Sequence, residues 1–372
     1  MIILFESDNS NLVTLVAFCT SGLEGAVAVE LRKYGYKIVY SSSGRIFFTA
    51  PLNDIPFLNM KIKSADRITI LVAKFHAETF DELFAGVRSS NLNKYVEKNA
   101  KIVIEKLKIT NSKLSATGAV ASVAKKAMME NIGGSNESGP IYEVILLIKD
   151  NEVHLILDTT GSDSLSKRGY RIKSGKAPLR ETIAAGIILL SRWSGGPLFD
   201  LFCGSGTIPI EASTLELPNV RRKYSSEEWK ILKEIWKRTK RDLRDEFKAY
   251  DVNDGIIVGS DKDCKVIQIA RENYRRAIEV FGSARNAEFR CSDFKDLTVF
   301  EDRAWVISNL PYGERLKGEE ILSFLPKLRE KFPNSNFYLL HPSGELEKLL
   351  GKASKKIRFQ NSGIWTYLYM YY

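Results

Sequence analysis

The sequence predicts an α/β protein, with an open, mostly parallel sheet in its C-terminal half and a smaller α+β region before it. Three observations predict this. From residue 183 onward, apolar segments of strand length alternate with helix-like segments, the pattern of a parallel sheet. Before residue 160 the strand-like runs follow one another and include a tight-turn pair, which is an antiparallel habit. One C-terminal strand, 196–202, ends in Cys203-Gly204-Ser205-Gly206-Thr207, a glycine turn that leads into a helix.

Taken in order, the apolar run at 12–19 reads as the first strand. Thr20 or Ser21 then caps a helix whose apolar positions, within 26–31, are spaced three or four apart. Strands follow at 36–40 and 45–50, separated by Ser41-Ser42-Ser43-Gly44. Residues 1–60 thus form one small unit and 61–160 a second. The second has strands at 67–73, 101–106, 142–148 and 152–158 and helices at 80–87 and 115–130. Lys149-Asp150-Asn151 joins its last two strands as a hairpin turn. Residues 161–182 are a basic connector, and 183–372 carry the alternating pattern, with strands at 197–202, 256–260, 287–291, 304–308 and 336–340. A charged, helix-prone segment at 221–248 interrupts that rhythm. It holds 11 basic and 6 acidic residues with Trp229 and Trp236, and reads as an insertion on the sheet core.

Composition narrows the function. With 44% hydrophobic and 27% charged residues the chain is an ordinary globular protein. Its longest apolar run, 183–190, is too short to span a bilayer, and its first residues lack the basic segment of a signal peptide, so a cytoplasmic address is expected. The net charge of +10 favours a polyanionic partner. Cys19, Cys203, Cys264 and Cys291 are scattered, as are His76, His154 and His341, which argues against a metal site and against a disulfide framework.

The glycine turn lacks the third glycine of a dinucleotide fingerprint and the lysine of a phosphate loop. Acids surround it instead. Asp200 can pair with a ligand ammonium. Asp261, at the end of the next strand, can accept both hydroxyls of a ribose, although Asp263 competes as the helix cap there. Asp293, followed by Phe294, can accept from an adenine amine. Successive strand ends of an open α/β sheet share one crevice, and an ammonium, a ribose and an adenine together describe S-adenosyl-L-methionine.

A second motif, Asn309-Leu310-Pro311-Tyr312, follows the apolar run 304–307. The Asn309 amide oxygen and the Leu310 carbonyl can accept the two hydrogens of a planar amine while Tyr312 stacks on its ring. Pro311 holds Leu310 in extended geometry. That arrangement serves methylation of an exocyclic base nitrogen.

Together, Asp200 to Thr207, Gly259-Ser260-Asp261, Ser292-Asp293-Phe294 and Asn309 to Arg315 resemble the class I amino-methyltransferases with an Asn-Pro-Pro-Tyr signature. Asp163 to Arg171 and Ala177 to Thr182 narrow the resemblance to bacterial RNA guanine-N2 methyltransferases with a THUMP domain, the YpsC-like proteins and the N-terminal half of RlmL among them. The resemblance implies a ferredoxin-like subdomain at 1–60, a THUMP RNA-binding domain at 61–160 and a Rossmann-like class I methyltransferase domain at 183–372. The donor would be held by Asp200, Cys203, Gly204, Gly206, Thr207, Asp261, Asp293, Phe294 and Asn309, and catalysis would use Asn309, Leu310, Pro311 and Tyr312. Leu310 stands where the family has Pro, in a role that a backbone carbonyl fills. The expected substrate is guanine N2 in 23S rRNA. Alternatives are tRNA guanine N2, adenine N6 of a nucleic acid, a glutamine amide of a translation factor, and a non-catalytic RNA-binding protein that kept the fold, against which the acids at Asp200, Asp261 and Asp293 argue. Lys167, Arg168, Arg171, Arg221, Arg222 and Lys223, with Lys237 and Arg238, either contact RNA phosphates or serve as a solvated connector and amphipathic helix. Arg180 and Glu181 lie beside the donor crevice or form an ion pair at the start of their helix.

Overall fold

A computed structural model describes residues 11–172, 179–248, 256–296, 303–311, 325–344, 346–361 and 363–372. It contains two seven-stranded sheets, each facing helices across its own core.

The first sheet has the order β2-β3-β1-β4-β7-β6-β5. Its strands are β1 (Leu12–Phe18), β2 (Lys37–Ser42), β3 (Arg45–Pro51), β4 (Arg67–His76), β5 (Lys101–Thr110), β6 (Ile141–Lys149) and β7 (Glu152–Asp158). All pairings are antiparallel except β5 with β6. The two units expected at 1–60 and 61–160 share this sheet, because Leu15–Phe18 of β1 pair with Arg67–Ile70 of β4. Helices α1 (Glu24–Lys33), α2 (Ile55–Lys61), α3 (Phe80–Arg88) and α4 (Thr117–Asn131) accompany it. The β6–β7 turn is Asp150-Asn151, with φ of 52° and 63°, the left-handed pair that a two-residue hairpin demands. A reciprocal Thr79–Glu82 capping box starts α3. Neither Thr20 nor Ser21 caps α1. Its N-cap is Leu23, and the Glu24 carboxylate instead accepts from the N–H groups of Gly22 and Gly44, fixing the preceding loop.

The second sheet has the order β10-β9-β8-β11-β12-β14-β13. Its strands are β8 (Leu198–Asp200), β9 (Ile257–Asp261), β10 (Ala287–Cys291), β11 (Trp305–Asn309), β12 (Asn336–His341), β13 (Lys355–Asn361) and β14 (Ile364–Tyr371). It is parallel from β10 to β12 and antiparallel at β14 and β13. The last two strands are additions to the sequence reading. Helices α5 (Glu181–Leu190), α6 (Thr207–Ser213), α8 (Cys264–Phe281), α9 (Leu325–Lys331) and α10 (Leu346–Leu350) accompany it, while α7 (Lys233–Lys248), between α6 and α8 in sequence, packs on the first sheet's core. The chain leaves β8 toward β9 and β10, then returns to build β11 and β12 on the other side. The topological switch point, where such sheets bind ligands, therefore lies between β8 and β11.

The 221–248 segment is a staple between the two halves. Trp229 stacks on Tyr142 of β6 with ring centres 4.3 Å apart and donates Nε1–H to the Ile141 carbonyl. Ser226 donates to the Thr159 carbonyl, and Trp236 stacks on Tyr224 and donates to Ser226 Oγ. One face of α7 is polar and exposed, as an amphipathic helix requires. Its other face, with Trp236 and Leu243 buried, packs into the core of the first sheet.

Candidate active site

Three strand ends meet at the switch point. Asp200 closes β8 and is buried. Its Oδ1 accepts from Ser308 Oγ at 2.6 Å and from the Phe202 N–H at 3.3 Å. Burial pushes its carboxyl up to about 7, against the pull of those two donors. Ser308 is the penultimate residue of β11, and its Oγ also accepts from Phe202 N–H at 3.3 Å. The strand that carries Asn309 is thus pinned to the first residues of the glycine turn.

Within that turn the Cys203 N–H donates to the Ser260 carbonyl and the Gly206 N–H to the Cys203 carbonyl. Gly204 (φ +52°) and Gly206 (φ +88°) both take the left-handed backbone that favours glycine. They differ in surroundings. A Cβ on Gly206 would sit 2.9 Å from a Phe289 ring carbon and 3.1 Å from Ala270, so the turn packs tightly on β10 and α8. At Gly204 no atom of the described residues lies within 4 Å of that position, so the turn faces open space there. Asp261, at the end of β9, accepts the Gly204 N–H on one oxygen (3.1 Å) and the Asp263 N–H on the other (3.0 Å). Asp263 is the helix cap, accepting from Lys265 N–H at 2.9 Å, which leaves Asp261 free of that task. Asp293 accepts from Lys295 N–H at 3.1 Å, and Phe294 packs on Phe202 with ring centres 5.0 Å apart. The Cys203 thiol is buried beside Asp200 and Asp261, and burial raises its pKa well above the usual thiol range.

Opposite the turn, Asn309 ends β11. Its Oδ1 is buried and has no hydrogen-bond partner among the described residues. A buried amide oxygen left unmade is costly, so the position suits a ligand donor. Leu310 donates its N–H to the Leu340 carbonyl at 3.1 Å. Tyr312 lies outside the described residues.

Sequence reasoning missed two contributors. Ser308 is one, signalled only by a hydroxyl at the end of an apolar strand. Asn273 of α8 is the other: it is buried, donates to the Ser205 carbonyl at 3.1 Å and accepts from the Ile172 N–H at 3.1 Å.

The basic residues of the connector are placed differently from an RNA-facing surface. Arg168 is 5% exposed. It pairs with buried Glu211 at 3.1 Å and donates to the carbonyls of Leu165 and Lys63, while Tyr170 O–H donates to the same Glu211 at 2.9 Å. Arg171 pairs with Glu181 at 2.7 Å and donates to Thr207 Oγ1 at 3.1 Å, bracing the start of α6 beside the glycine turn. Arg180 pairs with Asp66 rather than with Glu181. Arg222 donates to the carbonyls of Asp163, Ser164 and Lys167, and Arg221 to that of Glu279. These arginines hold loops, because buried carbonyls and carboxylates need donors. Lys167, Lys223, Lys237 and Arg238 are exposed, with Lys167 paired to Asp163 and Lys237 to Glu234.

The cysteine reading is corrected at one pair. Cys264 and Cys291 are joined by a disulfide, with Cα atoms 5.0 Å apart. The bond ties the start of α8 to the end of β10, next to Asp261 and Asp293. Among the described residues no group of His, Cys, Asp and Glu could hold a metal ion, and no helix is long and apolar enough to cross a membrane.

A mostly parallel sheet whose switch point carries a glycine turn, with acids at the neighbouring strand ends, has the architecture of a class I methyltransferase. The chain belongs to the family of RMKL-like methyltransferase domains, UPF0020, matched over residues 168–362; residues 14–69 match the RlmL ferredoxin-like domain. The Bacillus subtilis protein YpsC, named as a candidate RNA methyltransferase, is 33% identical over 96% of both chains. The ribosomal RNA large subunit methyltransferase K/L of Cellvibrio japonicus is 29% identical over 95% of this chain, which spans about half the length of that relative (50%). The tRNA (guanine(6)-N2)-methyltransferase of Methanocaldococcus jannaschii is 27% identical over 91% of this chain and 92% of its own. Among solved structures, SMU.472 in complex with S-adenosylhomocysteine superposes with a TM-score of 0.85 at 30% identity, covering 98% of both chains.

Proposed function

We propose that this protein transfers a methyl group from S-adenosyl-L-methionine to the exocyclic N2 of a guanine in RNA, in the cytoplasm, with large-subunit ribosomal RNA the first substrate and tRNA the second. The observation that carries the proposal is the buried Asn309 Oδ1, unpartnered among the described residues and one residue from the Ser308–Asp200 hydrogen bond. It puts an acceptor for an amine hydrogen next to an acid suited to a ligand ammonium.

The residues present fit the donor. Gly204 opens onto space that a side chain would fill, Asp261 and Asp293 line the same rim, and Asp200 stands at its centre. Asp200 would hold the ammonium, Asp261 the ribose hydroxyls and Asp293 the adenine amine, with Cys203, Gly206 and Thr207 shaping the turn and Phe294 packing beside it. When bound, S-adenosylmethionine supplies an electrophilic methyl on a sulfonium.

Guanine N2 is a weak nucleophile because its lone pair is delocalised into the ring. Asn309 Oδ1 and the Leu310 carbonyl would accept its two hydrogens, favour a pyramidal nitrogen and aim the lone pair into the donor crevice. Tyr312 would stack on the extruded base. Positioning and electrostatics supply the rate enhancement, and no strong base is required, since the methylated ammonium is acidic and loses its proton to water. The first 160 residues, by their likeness to ferredoxin-like and THUMP modules, would present the RNA.

The test incubates purified protein with labelled S-adenosylmethionine and rRNA or tRNA from a strain lacking the gene, then digests the RNA to nucleosides for mass spectrometry. Label in N2-methylguanosine is expected. Label in N6-methyladenosine, or none, overturns the proposal.

A further inference from the structure

The β13–β14 hairpin continues beyond the sheet edge that it joins. β12 ends at His341, which pairs with Tyr367, but β13 and β14 go on pairing through Phe359 with Thr366, Gln360 with Trp365 and Asn361 with Ile364. At about 3.4 Å per residue, these pairs carry the hairpin roughly 10 Å past the end of β12. Asn309 lies opposite Leu340 on the neighbouring strand. The finger therefore rises on the acceptor half of the rim, about 10 Å from the Asn309 strand by two sheet spacings.

One face of this finger is a ladder of cations and rings. Lys356, Arg358 and Gln360 lie opposite Tyr369, Tyr367 and Trp365. The Arg358 guanidinium sits 4.1 Å from the centre of the Trp365 ring and 5.9 Å from that of Tyr367. Trp365 is 48% exposed. The opposite face is core, with Phe359, Thr366 and Leu368 fully buried, and Gly22 of the β1–α1 loop is seated against the Arg358 carbonyl with no room for a side chain. The finger is thus held firmly at its back, and its front is buried at Tyr369 but open toward the tip at Arg358, Gln360 and Trp365. Lys356 is paired with Glu347 at 2.9 Å, whereas Arg358 has no carboxylate partner among the described residues. Folding alone does not call for a half-exposed tryptophan under an unneutralised arginine. An apolar protein partner would prefer apolar neighbours; on this face the exposed neighbours are Lys356, Arg358 and Gln360, and the exposed apolar Ile364 at the tip belongs to the other face. A ring for a base and a cation for its phosphate match a single-stranded nucleic acid.

We propose that Arg358, Trp365 and Tyr367 form a platform that stacks an unpaired nucleotide flanking the methylated base and neutralises its phosphate. The proposal rests on the RNA methyltransferase reading above. A base drawn out of a helix leaves neighbours with lost stacking, and an aromatic face beside the acceptor pocket restores part of it.

The test uses full-length protein and a mixed-sequence, fluorescently labelled single-stranded RNA 20-mer, read by anisotropy, with S-adenosylhomocysteine affinity measured in parallel. Trp365→Ala and Arg358→Ala are each expected to weaken RNA binding roughly 5- to 100-fold. Arg358→Lys should lose part of that and keep the salt dependence, and S-adenosylhomocysteine affinity should be unchanged throughout. Unchanged RNA affinity in both alanine variants, with methylation by wild type intact, overturns the platform alone. Failure of wild type to bind or methylate any RNA overturns the functional reading beneath it. Should a variant also lose S-adenosylhomocysteine affinity, photocrosslinking of wild type to 4-thiouridine RNA decides: crosslinks within 356–367 support the platform, and crosslinks confined to other segments overturn it.

Discussion

Ser308 Oγ donates to Asp200 Oδ1 at 2.6 Å, joining the strand that ends in the acceptor-site amide to the strand that ends in the donor-site acid. The two motifs are more than 100 residues apart in sequence; parallel pairing of β8 with β11 brings their strands together, and this hydrogen bond joins the strand ends. Ser308→Ala is expected to weaken S-adenosylmethionine binding at pH 7 and to lower turnover. The same hydroxyl pulls the Asp200 carboxyl down, so its loss should also move the pH midpoint of binding upward. Calorimetry at several pH values reads both effects.

Asp200 itself gives donor binding a pH dependence. Its carboxyl is raised by burial to about 7 in the folded protein, against about 3.9 in an unfolded chain. The folded state without ligand therefore holds this proton more tightly. The associated stability is fully present below the unfolded value and is lost as pH rises through about 7. A ligand ammonium acts with the opposite sign, because it favours the carboxylate. Affinity for S-adenosylmethionine should fall as pH drops below about 7, and the thermal stabilisation by S-adenosylhomocysteine should grow between pH 6 and pH 8. Asp200→Asn should flatten both curves; curves with unchanged slope in that variant would exclude Asp200 as the ammonium partner.

The two glycines of the turn separate packing from ligand space. Gly206→Ala puts a Cβ against Phe289 and Ala270 at φ +88°, and should destabilise the protein by roughly 2–4 kcal/mol from left-handed strain plus overpacking. Gly204→Ala carries only the backbone term, about 1–2 kcal/mol, but fills the open space and should abolish donor binding. Denaturant melts with and without S-adenosylhomocysteine distinguish the two.

Asn309→Ala is expected to abolish transfer with donor affinity near normal, while Asp261→Ala should weaken donor binding, losing the hold on Gly204 as well as a ligand acceptor. Calorimetry showing affinity lost in the first and kept in the second would contradict these roles.

Arg168→Ala leaves Glu211 buried without its charge partner and should cost about 3–5 kcal/mol of stability. RNA affinity of the folded fraction should not change, since this guanidinium faces the interior. A drop in RNA affinity with stability intact would restore the phosphate-contact reading.

Much of the architecture was legible because its signals are local. β7 and β10 match their expected bounds, each being an apolar alternation closed by turn residues, and the Asp150-Asn151 hairpin announces itself by residue type. Non-local facts were not legible. Arg168 reads as connector charge until the fold brings Glu211 to it from 43 residues away. The Cys264–Cys291 pair, 27 residues apart, exists because parallel β9 and β10 place Cys291 opposite Asp261. β13 opens on two lysines and is defined by pairing with β14, so period alone did not mark it as the edge of the second sheet. The insert at 221–248 showed its amphipathic helix but not its packing partners: α7 lies against α2, and Trp229 ahead of it stacks on Tyr142 of β6. At the site, the acids and Asn309 were legible as residue types at strand ends; Ser308 and Asn273 were not, because their roles depend on which strands become neighbours.

The most direct measurement is quantitative nucleoside mass spectrometry of rRNA and tRNA from three strains, carrying the wild-type gene, the deletion, or Asn309→Ala. One N2-methylguanosine site is expected with the wild-type gene and is expected to be absent from the other two strains. Retention of that nucleoside in the Asn309→Ala strain, or identical nucleoside profiles in all three, would contradict it.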